Sequence, residues 1–165
     1  MMVRQTVIAL ATLACLAGPA AAEEAARIDE AISRIEDFGP DLRIELVLSR
    51  AVPWRVETLE GPHRLVVEFQ GVETAGVNLA GIVQSDWVER ILAEPGEESD
   101  WVRVVLILTQ PLRVETAGLS DGTAGVALKL QLTPTTPEEF SRALGPLTET
   151  AIPGRAAEVV SAIAP

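Results

Sequence analysis

Residues 46–69 read LVLSRAVPWRVETLEGPHRLVVEF, and residues 106–132 read LILTQPLRVETAGLSDGTAGVALKLQL. Both run in the order apolar strand, proline, Arg-Val-Glu-Thr, turn, apolar strand. Self-similarity at one offset marks a duplicated supersecondary unit. Such a unit makes the chain a symmetric all-β body, a scaffold suited to binding more than to catalysis.

The strands outside the repeated core carry the same signal. Leu42, Ile44, Leu46 and Leu48 alternate with Arg43, Glu45, Val47 and Ser49, the period of two expected of a half-buried strand. Val102, Val104, Leu106 and Leu108 alternate in the same parity with Arg103, Val105, Ile107 and Thr109. Each strand closes at a proline, Pro53 or Pro111, which has no N–H to give a ladder. Beyond it, Trp54, Val56 and Thr58 match Leu112, Val114 and Thr116 on one face, and Arg55 and Glu57 match Arg113 and Glu115 on the other. The turns 60–63 and 120–123 are rich in residues that tolerate special backbone angles. Arg34-Ile35 and Arg90-Ile91 precede the two strand pairs, so each repeat holds four short strands, about 32–71 and about 87–133, with 72–85 between them.

A four-stranded sheet with one apolar face must bury that face against another. The expected fold is all-β: an eight-stranded sandwich of two symmetric four-stranded sheets arising from the internal duplication, with a short C-terminal helix. That helix is expected within 136–145, because Thr136-Pro137-Glu138-Glu139 combines an N-cap, a proline at the first helical position and a capping-box glutamate, and Gly145-Pro146 stops it. Residues 146–165, rich in Ala, Thr, Pro and Gly, read as a linker or tail.

Residues 1–22 stand apart. Arg4, the apolar run 7–16 and Ala20-Ala21-Ala22 form the three parts of a secretory signal peptide, with cleavage expected after Ala22. The apolar run is shorter than a bilayer span, and no later segment approaches one. Cys15, the sole cysteine, lies within the run, and Thr12-Leu13-Ala14-Cys15 is a poor lipid-attachment motif. Cleavage would leave about 140 residues, one domain of ordinary size, in the segment beginning at residue 23. The sandwich is expected to occupy 23–135. Without cysteine it has no disulfide, thiolate nucleophile or cysteine-held zinc.

The chain carries 24 acidic and 13 basic residues, a formal charge of −11. Nucleic acid and anionic lipid are poor partners for that balance. His63 is the sole histidine, placed in a turn, where it reads as a solvated loop residue, and no zinc site can be built on histidines. Glu94, Glu97, Glu98 and Asp100 surround a Pro-Gly turn; a solvated loop is the ordinary reading and a weak oxygen-ligand cation site the alternative. The glycines form no phosphate loop. No catalytic, metal or cofactor-binding residue is therefore expected.

Binding candidates are fewer. Trp87 and Trp101 each begin a strand within Ser-Asp-Trp-Val, and an indole face can stack on a sugar ring, whereas Trp54 reads as core. Arg55 and Arg113 lie on the polar strand faces, where pairing with Glu57, Glu68 or Glu115 is their competing duty. The tentative ligand-binding set is Arg55, Arg113, Trp87 and Trp101.

The leader, the acidic duplication, Val-Pro-Trp-Arg-Val-Glu-Thr-Leu at 52–59 and Gly-Pro-His-Arg-Leu-Val-Val-Glu-Phe at 61–69 resemble the AMIN domain found at the N-terminus of bacterial periplasmic N-acetylmuramoyl-L-alanine amidases. The resemblance covers about 32–133. It implies a periplasmic module that binds peptidoglycan and localises attached machinery, with zinc and hydrolysis belonging to a further domain absent from this chain. Alternatives are a protein-interaction module of an envelope division or secretion complex and a truncated record of the zinc amidase.

Overall fold

The computed structural model describes residues 24–146. The expected signal peptide and most of the expected tail lie outside the described residues.

Two five-stranded sheets bury their apolar faces in one core. In chain order the strands of the first half are β1 (Ala26–Arg27), β2 (Arg34–Phe38), β3 (Asp41–Leu48), β4 (Trp54–Leu59), β5 (Arg64–Gln70) and β6 (Val72–Glu73). The second half supplies β7 (Val83–Gln84), β8 (Val88–Pro95), β9 (Trp101–Leu108), β10 (Leu112–Gly122), β11 (Gly125–Pro134) and β12 (Gly145–Pro146). The first sheet runs β10-β11-β3-β2-β7 and the second β12-β4-β5-β9-β8, while β1 and β6 form a separate parallel pair.

The repeats therefore exchange strands. β2 and β3 of the first repeat join β10 and β11 of the second, and β4 and β5 join β8 and β9. Leu46 faces Leu128 across one junction, and Leu106 faces Leu65 across the other. Such an exchange removes two sheet edges from solvent and ties both repeats into a single core. Leu42, Ile44, Leu46 and Leu48 are fully buried, as are Val104 and Leu106, which confirms the inward parity read from their alternation.

Four expectations change. Each sheet has five strands rather than four, because the two-residue strands β7 and β12 each add an outer partner, too short to leave a sequence pattern. The 72–85 connection is part of the body: it contributes β6, β7 and a 3-10 helix, Leu79–Ile82, whose Leu79 and Ile82 are buried. Arg34-Ile35 and Arg90-Ile91 are not equivalent, since Ile35 faces Ile44 but Ile91 faces Leu106, a two-residue difference in register. Counted by register from Leu46 and Leu106, Ser33 takes the place of Ile91 in the other sheet; it is buried, and its Oγ accepts from the Val47 N–H at 2.9 Å.

The fourth change decides where the arginines go. A bulge between Val114 and Thr116 interrupts β10, leaving Thr116 exposed and turning Ala117 inward. Thr58, its sequence match, is buried. β10 also runs through the expected turn to Gly122, with Thr123-Ala124 making the connection.

The C-terminal helix α1 (Pro137–Arg142), within the expected 136–145, is docked on the body. Thr136 Oγ caps it by accepting from the Glu139 N–H at 3.2 Å. Phe140 is buried, the His63 ring meets it edge-on with centroids 4.7 Å apart, and Thr58 Oγ donates to the Ala143 carbonyl at 3.1 Å. His63 is thus a packing residue of the β4–β5 turn, with a buried Nδ1 that finds no hydrogen-bond partner among the described residues.

Candidate functional site

The outer face of the second sheet gathers two of the four candidate residues. Strand pairing places Arg55 (β4), Glu68 (β5), Arg103 (β9) and Glu94 (β8) in one row across the sheet, alternating in sign. β5 and β9 are interior strands, so Glu68 is buried, its side chain only 6% exposed. A carboxylate so placed must be paired. Arg55 Nε donates to Glu68 Oε2, and Arg103 Nε lies 3.1 Å from Glu68 Oε1. Arg103 also donates to Glu57 at 2.7 Å, and Arg55 to Glu98 at 3.2 Å. The hydrogen bond from Arg55 to Glu68 is the main influence raising that guanidinium above its ordinary pKa, so Arg55 stays charged at any working pH.

Trp101 completes this cluster. Gln70 faces Trp101 across β5 and β9, which puts the indole on the same outer face one row along from Arg55. The Arg55 guanidinium carbon sits 4.3 Å from the ring centroid, a cation–π contact. Gln70 Nε2 donates to Asp100 at 2.6 Å, fixing the loop that carries Glu98. Arg55, Glu57, Glu68, Glu97 and Arg103 line a recess of about 250 Å³, so Arg55 belongs both to the recess and to the contact with Trp101.

Arg113 and Trp87 do not join it. β8 and β9 are antiparallel, so tryptophans that start both strands fall at opposite ends of the hairpin; Trp87 is half-buried against the core. Arg113 is on the first sheet, facing Thr133 and bonded to Glu115. Relative to Leu128, Thr133 stands where Gln70 stands relative to Leu65, so Arg113 is out of step with Arg55 despite the shared Arg-Val-Glu-Thr. Arg103 escaped the sequence reading, although its place in the alternation of β9 and an oppositely charged residue on each neighbouring strand could have pointed to it.

The outer face of the first sheet is built differently. The row matching that of Glu68 holds Thr116, Gln131, Arg43 and Glu36. Arg43 stacks on Phe38, 3.5 Å from the ring centroid, with Phe38 52% exposed. Neighbouring Glu45 lies between Arg34 and Lys129 by register, and Lys129 Nζ is 3.5 Å from its carboxylate. Two recesses of about 430 Å³ each flank Lys129.

No group of three or more His, Cys, Asp or Glu side chains among the described residues is arranged to hold a metal ion. The acidic 94–100 loop spends Glu98 on Arg55 and Asp100 on Gln70. No helix among the described residues is long and apolar enough to cross a membrane.

These features define an all-β domain with two chemically distinct polar faces. The AMIN domain family model matches residues 33–131, spanning both sheets, and the chain belongs to that family. AMIN domains are generally periplasmic modules for peptidoglycan binding or localisation. No individual curated protein matches the chain.

Proposed function

We propose that this chain binds peptidoglycan through the outer face of its second sheet and localises the machinery attached to it, an N-acetylmuramoyl-L-alanine amidase. The observation that carries the reading is the Arg55–Trp101 contact, whose guanidinium also lines the recess. Two guanidiniums there are held by Glu57, Glu68 and Glu98, with Glu94 and Glu97 nearby, so the face stays acidic like the chain as a whole. An acidic surface with an aromatic edge and fixed N–H donors suits an uncharged glycan better than an anionic polymer: the indole supplies apolar contact, and Arg55 and Arg103 supply oriented hydrogen bonds. Arg113 and Trp87 enter as contacts only if the polymer wraps beyond this face.

The test is co-sedimentation of the purified protein with insoluble peptidoglycan at modest salt. Binding that falls about tenfold in Trp101→Ala, with the fold intact by circular dichroism, supports the reading. A wild type that stays in the supernatant overturns it. The amidase association is tested by the genomic reading frame, which should continue past Pro165 into a histidine- and glutamate-bearing zinc domain. Export through the leader is tested by sequencing the mature N-terminus, expected at Glu23.

A further inference from the structure

We infer that the outer face of the first sheet is a second wall contact of different chemistry, a strip that captures the carboxylates of the wall's peptide chains. The inference rests on the wall-binding reading and adds a ligand class and a face to it.

Its basis is a contrast between equivalent positions. On the second sheet, Arg103 stands between Glu68 and Glu94 and is held by two carboxylates. On the first sheet, Arg43 stands between Gln131 and Glu36 and makes no ion pair among the described residues; an exposed phenylalanine ring supports it instead. Gln131 turns its amide N–H₂ to Asp41 at 2.6 Å, which occupies that carboxylate as well. Arg34 is likewise without an ion pair among the described residues, because Glu45, its cross-strand neighbour, leans to Lys129.

In a chain with 24 carboxylates and 13 cations, most guanidiniums can find an internal partner. Two on one face that do not are available to an external anion. Lys129, the chain's sole lysine, stands on β11 in the same row as Arg34, across Glu45 and one row from Arg43, with a recess on either side. An anionic peptide laid across β2, β3 and β11 would meet Arg34, Arg43 and Lys129 in turn. Each can donate charge-assisted hydrogen bonds, and the planar Arg43 guanidinium can grip a carboxylate with two N–H groups. Steering by these cations counters the repulsion that the overall charge imposes on an acidic polymer.

The test compares native peptidoglycan with peptidoglycan whose carboxyl groups have been converted to amides. Wild-type protein should bind the native material several-fold more tightly. The double variant Arg43→Gln/Lys129→Gln should bind native wall about tenfold more weakly and lose the preference, whereas Glu36→Gln, which removes the carboxylate beside Arg43, should bind more tightly. Arg142→Gln, an exposed change on α1, should match wild type. A double variant that binds native wall as wild type does, or a wild type indifferent to amidation, overturns the inference and leaves wall binding standing. A wild type that ignores native wall overturns both.

Discussion

Gln131 stands on the first sheet where Glu68 stands on the second, each three residues beyond the leucine, Leu128 or Leu65, that joins the two repeats. One carboxylate exchanged for an amide gives the faces different chemistry. Glu68 gathers Arg55 and Arg103 into a closed ion network, whereas Gln131 leaves Arg43 to an exposed aromatic ring.

Glu68→Gln should destabilise the fold by about 2 kcal/mol, because it removes the buried charge-assisted partner that Arg55 and Arg103 share and leaves them to Glu98 and Glu57. Urea unfolding checks it. The same change should release the Arg55 guanidinium from its fixed place on Trp101, seen as altered tryptophan fluorescence. A variant as stable as wild type would show that the network is only solvated surface charge.

Gly125 is a second sensitive point. It opens β11 at φ +138°, and an added Cβ would lie 2.2 Å from the Leu48 carbonyl oxygen, where β3 ends beside it. Gly125→Ala should cost roughly 2–3 kcal/mol through backbone strain and the steric contact together. Thermal unfolding measures this, and Gly122→Ala, with only an ordinary 3.4 Å contact, serves as the comparison.

Phe140 fastens α1 to the body. Phe140→Ala should cost roughly 3 kcal/mol and expose His63, with faster amide exchange in 137–143. Unchanged exchange there would mean that Thr58 and the β12 pairing hold the helix unaided.

The helix start carries a pH signature. The Thr135 hydroxyl, and after it the Thr136 backbone N–H, hold the Glu139 carboxyl below its ordinary pKa. A depressed folded value favours the folded form above the ordinary carboxylate range, and that contribution is lost as pH falls through the depressed value. Protection of the first helical turn, measured against the intrinsic exchange rate at each pH, should therefore fall on acidification, and Glu139→Gln should abolish this dependence.

Strand parity was legible wherever both neighbours of a strand lay in the core. Leu42 to Leu48 and their counterparts in β9 show it, because burial of one face enforces a period of two. Strand exchange was not legible, since either pairing of the repeats buries the same residues. The β10 bulge was also hidden: Arg-Val-Glu-Thr occurs in both copies, and only the partner strand decides that Thr58 turns inward while Thr116 turns out. Of the candidate site, Arg55 and Trp101 converge, while Arg113 was displaced by register and Trp87 by antiparallel pairing. Identical Ser-Asp-Trp-Val contexts could not separate the two tryptophans, as the distinction lies in which end of the hairpin each occupies.

The most direct test of wall binding is a titration of isotope-labelled protein with a soluble peptidoglycan digest, following backbone and indole N–H resonances. The account predicts saturable shifts at Trp101, Arg55 and Arg103, with a second set at Arg43 and Lys129 that peptide-free glycan does not produce. A spectrum unchanged at millimolar digest, or shifts confined to neither face, would contradict it.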